Sequence, residues 1–154
     1  MGGLHGGHVT IDVDSTDCGF APKGKLHVFA HKKSIHSSFG SKNTHGKPGL
    51  WDGYKYASVT IPVTQAQHDK IVEILSGYCG QTPYDYAFFG MRCASATRDI
   101  LGQVGIMGKH KRLNYILTTF YPKKLRKRLF RLAEKHNWYV IRQDGRTSRK
   151  WEKD

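Results

Sequence analysis

Gly90-Met91-Arg92-Cys93-Ala94-Ser95-Ala96-Thr97-Arg98-Asp99-Ile100-Leu101-Gly102-Gln103-Val104 decides how this chain is read. Ala96, Ile100, Leu101 and Val104 recur at helical spacing, so the stretch predicts a helix from Cys93 to about Val104. The glycines between Gly102 and Gly108 close it. Its first residue is a cysteine. A thiol in the first turn of a helix meets unpaired N–H groups and the positive end of the macrodipole, and both favour the thiolate. Arg92, facing the sulfur, would push the same way. The small side chains of Ala94, Ser95 and Ala96 would let a strand approach this turn closely. A free cysteine more often serves as a small buried apolar residue. Position alone therefore does not make Cys93 a nucleophile; a nucleophilic thiol also needs a base.

Working outward, His8-Val9-Thr10-Ile11-Asp12-Val13-Asp14 alternates, with Val9, Ile11 and Val13 on one face of a half-buried strand. Asp14 to Gly24 reads as a turn punctuated by Gly19, Pro22 and Gly24. Leu26 to His31 reads as a second strand, Leu26, Val28 and Ala30 facing one way and His27, Phe29 and His31 the other. Residues 34–53, rich in Ser, Gly, Asn and Lys, read as a long loop. A third strand is expected over Tyr56–Val63, with Ala57, Val59, Ile61 and Val63 inward. Thr64 and Gln67 form a capping-box pattern opening a helix, Ile71, Val72, Ile74 and Leu75 give its buried stripe, and Gly77 ends it. In the connection from Tyr78 to Met91, Tyr84, Tyr86, Phe88 and Phe89 must find packing. Beyond come a segment at Leu113–Phe120, a basic helix over Pro122–His136, a last strand over Trp138–Ile141 and a charged tail. With no internal repeat, the expectation is one α+β domain over residues 1–154, residues 1–108 forming the core and 109–154 a basic extension packed on it.

Length and composition bound the function. The 154 residues, 38% hydrophobic and 12% aromatic, suffice for one real core. No apolar run approaches the ~20 residues of a membrane span, which excludes an integral helical membrane protein. The N-terminal residues show no basic start followed by an apolar stretch, so no signal peptide is readable; a cytoplasmic protein, or one exported by a signal-independent route, is expected. Three cysteines (Cys18, Cys79 and Cys93) without C-x-x-C spacing argue against a disulfide framework. The net charge of +13 is concentrated: residues 109–154 carry 15 Lys/Arg against 4 Asp/Glu. An anionic partner follows (nucleic acid, an acidic lipid surface or a cell-wall polymer), set against the plainer reading of a solvated helix face.

Candidates for the base are His8, which opens the first strand after Gly6-Gly7, and His27 and His31, which share a face of the second. Adjacent strands bring side chains within about 5 Å, so a histidine of one strand can orient a histidine of the next. Among 9 histidines, some neighbours are also expected by chance.

These stretches resemble a known family. Gly7-His8-Val9-Thr10-Ile11-Asp12-Val13 is similar to the Gly-His-Val-x-Ile strand of the NlpC-type, papain-fold cysteine peptidases. Leu26-His27-Val28-Phe29-Ala30-His31 is similar to the strand that carries that family's third polar residue. Val59-Thr60-Ile61-Pro62-Val63-Thr64 running into Gln67…Leu75 also matches. Tyr84…Tyr86…Cys93-Ala94-Ser95-Ala96-Thr97-Arg98-Asp99-Ile100-Leu101 resembles the Tyr…Asn-Cys-x-x-x-x-x-Asp-x-Leu stretch of the circularly permuted branch. There, as here, the histidine strand precedes the cysteine helix; lecithin:retinol acyltransferase-like enzymes and several bacterial amidases belong to it. The resemblance covers about residues 6–104. It implies a papain-like, circularly permuted fold, with an antiparallel sheet packed against the cysteine helix. It further implies Cys93 as nucleophile, His8 as general base and His31 as orienting residue, with His27 as its competitor. The Cys93 backbone N–H would serve an oxyanion hole. Arg92 stands where that family often has Asn, which changes the local electrostatics.

Two rival sites are weaker. Asp17-Cys18-Gly19-Phe20 is superficially like the Asp-Cys-Ser-Gly-Phe helix start of the unpermuted family, but Gly19, Pro22 and Gly24 break a helix at once. A zinc site from Cys18, His27, His31, His36 and His45 lacks the paired spacing that makes such readings strong. Leu125, Leu129 and Leu132 would dock the basic helix and show Lys/Arg outward, with no recognised nucleic-acid motif and no interleaved stacking aromatics. The expectation is a cysteine hydrolase that cleaves an amide bond by a Cys-His-His thiolate mechanism, needing no metal or organic cofactor. By resemblance its substrates are cell-wall peptides, ahead of lipid acyl esters or a protein. The alternative is a non-catalytic basic module that binds nucleic acid through residues 109–154.

Overall fold

A computed structural model describes residues 7–24, 26–32, 37–43, 53–119 and 121–146. In chain order its elements are β1 (Thr10–Val13), β2 (Thr16–Pro22), β3 (His27–Phe29), β4 (Ser37–Asn43), β5 (Tyr56–Thr60), α1 (Gln65–Gly80), β6 (Ala87–Phe89), α2 (Cys93–Gln103), α3 (Arg112–Thr118), α4 (Pro122–His136) and β7 (Tyr139–Gln143). The protein is α+β, with four helices around small sheets among the described residues. β1, β2 and β4 form an antiparallel sheet in that order, β5 pairs antiparallel with β7, and β3 pairs parallel with β6.

Two stretches read as irregular are strands. Asp14 and Ser15, with φ of 50° and 59°, make a two-residue hairpin that pairs Thr10 with Gly19 and Val13 with Thr16. Such a turn needs positive φ at both residues and usually carries Asn-Gly, so Asp-Ser hides it. β2 therefore occupies the expected turn over 14–24, and its breakers have other reasons: Pro22 ends the strand, and Gly19 leaves room for a neighbouring side chain. Within the expected loop over 34–53, residues 37–43 form β4 on the far edge of β2; residues 33–36 and 44–52 lie outside the described residues. The expected second strand does not neighbour the first. It shortens to β3 on β6, and Leu26 and Val28, on the face opposite His27, are exposed. β5 stops at Thr60 rather than Val63, and β7 runs to Gln143 rather than Ile141. The end of the Leu113–Phe120 segment at Phe120 and the tail over 147–154 lie outside the described residues.

The helices follow their sequence more closely. Thr64 Oγ1 accepts from the Gln67 N–H, and Gln67 Oε1 accepts from the Thr64 N–H, the expected capping box. α1 passes Gly77 because Tyr78 and Cys79 pack on the core, which outweighs the ~1 kcal/mol a helical glycine costs. α2 is the central element. Nine of its 11 residues are buried, and Ala94, Ser95 and Ala96 have no exposed surface. One hydrophobic cluster lies between the β1-β2-β4 sheet, α1 and α2, around Phe20, Phe39, Tyr84, Tyr86, Ile74 and Ile100. A second joins Ala94, Leu101 and Met107 of the α2 side to Leu125 of α4, with Leu129 and Leu132 alongside. The basic third is thus built into the fold twice, by this cluster and by β7 on β5.

Candidate active site

Cys93 is the first residue of α2 and is 4% exposed. The cap residue before it, Arg92, offers no side-chain acceptor to the first helical N–H groups. Its own backbone N–H goes to Ser95 Oγ at 2.8 Å. A helix start without an acceptor at its cap keeps its N–H groups available for an anion. Three donors reach the sulfur: the His8 ring, the Val9 backbone N–H and the Tyr86 hydroxyl. Burial pushes the Cys93 thiol up, but these hydrogen bonds and the positive charge of His8 prevail and hold it below its ordinary range. His8 is the reciprocal case. Its hydrogen bond to Cys93 raises it, opposed by desolvation and assisted by the charges of Cys93 and Asp17. Each group thus draws the other toward its charged form, Cys93 toward thiolate and His8 toward imidazolium.

The structure thus brings together two of the three expected residues. His8 reaches the thiol because position 19 of β2 has no side chain: a Cβ there would lie 2.7 Å from His8 Nε2 and 2.8 Å from Thr10 Cγ2. The third is elsewhere. The His31 backbone N–H donates to Asp85 Oδ2 at 2.9 Å, and the His31 ring packs edge-on against His27, centroids 4.4 Å apart. His27 Nδ1 shares a proton with Asp85 Oδ2 at 2.7 Å. Among the described residues neither histidine hydrogen-bonds His8, whose partner is Cys93. The reason is topological: the strand beside β1 is β2, and β3, which leads to His31, pairs with β6 instead. Asp17 on β2 supports the positive charge of His8 through space.

Tyr86 is the residue whose role the sequence left unassigned. Its backbone N–H donates to Ser37 Oγ at 2.5 Å, its ring packs on Phe20 with centroids 5.0 Å apart, and its hydroxyl bridges Cys93 and the Arg92 guanidinium. Burial, then the Cys93 charge, push its phenol up to about 12, so it stays a donor at neutral pH. Arg92 acts on the site through this hydroxyl, and its guanidinium lies over Phe88 at 5.5 Å. Farther along, the Tyr84 hydroxyl donates to Asp99, and Gln103 Nε2 donates to the same carboxylate at 3.1 Å, tying the approach to Tyr86 onto α2. An aromatic at a fixed offset before the cysteine was the available signal for Tyr86; a glycine alternating with Cys18 and Phe20 was the signal for Gly19.

The rejected thiol is unsuited to attack. Cys18 lies buried in β2, and burial, then the neighbouring Cys79, push it up to about 11. Of the histidines once weighed as zinc ligands, His36 and His45 lie outside the described residues. Compared with protein-family models, with curated proteins and with solved structures, the chain matches none.

Proposed function

We propose that this chain is a papain-like, circularly permuted cysteine hydrolase that opens an amide bond through Cys93 and His8. The observation that carries the reading is one buried sulfur at a helix N-terminus receiving hydrogen bonds from a histidine, a tyrosine and a backbone N–H. In this reading the Cys93 thiolate attacks the carbonyl carbon, and the developing oxyanion is met by the Cys93 backbone N–H. The His8 imidazolium gives its proton to the departing amine and then, neutral, takes one from the water that hydrolyses the thioester. Tyr86 and Val9 hold the thiolate before attack. Gly19 seats the His8 ring and Asp17 favours its charged form, in place of the orienting histidine expected from sequence.

By resemblance, the substrates are stem or cross-link peptides of a bacterial cell wall, ahead of lipid acyl esters or a protein. The exposed side chains of Lys124, Lys127, Arg131 and Lys135 form a cationic row on α4 that suits an anionic wall polymer. The same row supports the second reading, a module that grips nucleic acid through phosphate contacts. No helix is long and apolar enough to cross a membrane among the described residues. The test is release of new amines from purified wall peptides by the wild-type chain, by Cys93→Ser and by His8→Ala, with site-resolved alkylation of Cys93 alongside. Activity lost in both variants, with fast acid-side alkylation only in the wild type, supports the hydrolase. A Cys93 that reacts only on unfolding, with no amine release, removes it.

A further inference from the structure

Away from the thiol pair, the side chain of Asp85 is completely buried, and its carboxylate is held by the His27 ring, the His31 backbone N–H and the Ser37 hydroxyl. Oδ2 lies 2.7 Å from His27 Nδ1 and accepts the His31 N–H, while Oδ1 accepts the Ser37 hydroxyl at 2.9 Å. One donor atom from each of His27, His31 and Asp85 falls within 4.8 Å of the other two. They come from β3, from just beyond its end and from the approach to β6, so only the fold assembles them. The zinc reading of the sequence held the two histidines but not this carboxylate, which stands 54 residues beyond His31.

We propose that His27, His31 and Asp85 bind a divalent transition-metal ion of zinc's class. Two imidazole nitrogens and a carboxylate oxygen are the donor set such an ion takes, with a fourth position left to water. Bonds of roughly 2.0–2.2 Å in tetrahedral geometry place donors about 3.3 Å apart. The His27–Asp85 pair, 2.7 Å apart through a shared proton, therefore opens by about 0.6 Å as that proton leaves, and His31 closes by roughly 1.5 Å at most from the 4.8 Å limit. His31 supplies the movement, since its side chain is exposed, whereas Asp85 is fixed by Ser37. Ser37, bonded to the second carboxylate oxygen, is the outer-sphere partner that orients a ligating carboxylate. The site shares no residue with Cys93 and His8, and it stands whether or not the chain is a hydrolase.

The experiment is equilibrium dialysis of the chelator-stripped full chain against zinc chloride, for wild type, His31→Ala, His27→Ala and Cys93→Ser, with far-UV circular dichroism confirming each fold. Expected are one zinc bound by the wild type, affinity lower by about 10-fold or more in both histidine variants, and no change in Cys93→Ser. Cobalt loading is the second readout: tetrahedral visible bands without a thiolate charge-transfer band, disappearing in His31→Ala. An unbound wild type overturns the site. So do histidine variants that bind as tightly as wild type, or a Cys93→Ser variant that loses the ion.

Discussion

The position of His8 depends on an absent methyl group, and Gly19→Ala restores it. In the variant, the new Cβ stands 2.7 Å from His8 Nε2 and 2.8 Å from Thr10 Cγ2, where ordinary contact begins at 3.4 Å. One neighbour must retreat by about 0.7 Å; Thr10 is β-branched, stiff at χ1 and held in β1, so the imidazole moves. That breaks the donor contact that does most to hold the Cys93 thiol down, and leaves burial, which raises it, opposed by Val9 and Tyr86 alone. A thiol returned to an ordinary value near 8.5 is only about 1% thiolate at pH 6.5. A misplacement approaching 1 Å costs on the order of 10- to 100-fold in rate. Iodoacetamide alkylation of Cys93, resolved by peptide mass spectrometry across pH 5–9, should therefore slow at least tenfold below pH 7. The backbone is not the cause, because Gly19 is outside the positive-φ set and alanine fits its strand conformation. Gly40, its cross-strand partner, gives the matched control: a Cβ there meets nothing within 4 Å, so Gly40→Ala should alkylate as wild type. If Gly19→Ala keeps the wild-type pH profile while folded, the His8–Cys93 pairing described above is wrong.

The pair has a sign in pH. With Cys93 depressed and His8 raised, hydrolysis should climb through the Cys93 value and fall as pH passes the His8 value, a bell that His8→Ala reduces to a weak single rising limb moved to higher pH. In stability, the raised His8 contributes fully below its unfolded value near 6.5 and loses this as pH rises through the folded one. The depressed Cys93 contributes fully above its unfolded value near 8.5 and loses this as pH falls through the folded one; urea midpoints against pH would show both losses vanish in a His8→Ala, Cys93→Ser double variant. Tyr86→Phe removes a donor from the thiolate and an acceptor from buried Arg92, so alkylation should shift to higher pH and stability drop by about 1–3 kcal/mol; an unchanged profile would take Tyr86 out of the site. Leu125→Ala, at a residue 1% exposed, should cost about 2–5 kcal/mol in one cooperative transition, whereas a separate melting of the C-terminal third would contradict a shared core. Replacing Lys124, Lys127, Arg131 and Lys135 with Ser should weaken binding to any polyanion and flatten its salt dependence while Cys93 alkylation stays at wild-type rate.

What could be read in advance was what local chemistry dictates. The capping box at Thr64 and Gln67, the helix start at Cys93 and the limits of the basic helix from Pro122 to His136 all depend on neighbours within a turn or two. What escaped were pairings between distant segments. β2 was hidden because one breaker, Gly19, has a reason that exists only once β1 and His8 lie beside it, and the other, Pro22, stands at the strand's end. β3 was placed beside β1 because alternation says which residues share a face but not which strand is next door. The same limit divides the site. Cys93 was legible from its helix position and His8 from a short resemblance, but the orienting role was assigned across a strand pair that does not form. Asp85 carried no local signal at all; an acidic residue before a tyrosine becomes a ligand candidate only when β3 brings two histidines to it.

α2 explains why the basic third cannot be treated as an appendage. Its first turn faces two ways: Cys93 meets His8 and Tyr86 on one side, while Ala94, the next residue, packs with Leu101 and Leu125 in the second cluster. The small residues that let β1 approach Cys93 also let α4 close from the other side. Cutting the chain after residue 108 would therefore uncover Ala94 and Leu101 and remove β7 from β5. A truncated chain that lost both polyanion binding and thiol reactivity would say nothing about which function belongs where, since loss of the fold yields the same result. Charge can be separated from support only on the exposed row of α4, because Leu125 and Ala133 hold the helix in place through its other face. The cationic surface and the Cys93 thiol are distinct chemically, but the α2 backbone that positions the sulfur is held by the same helix that presents the charge.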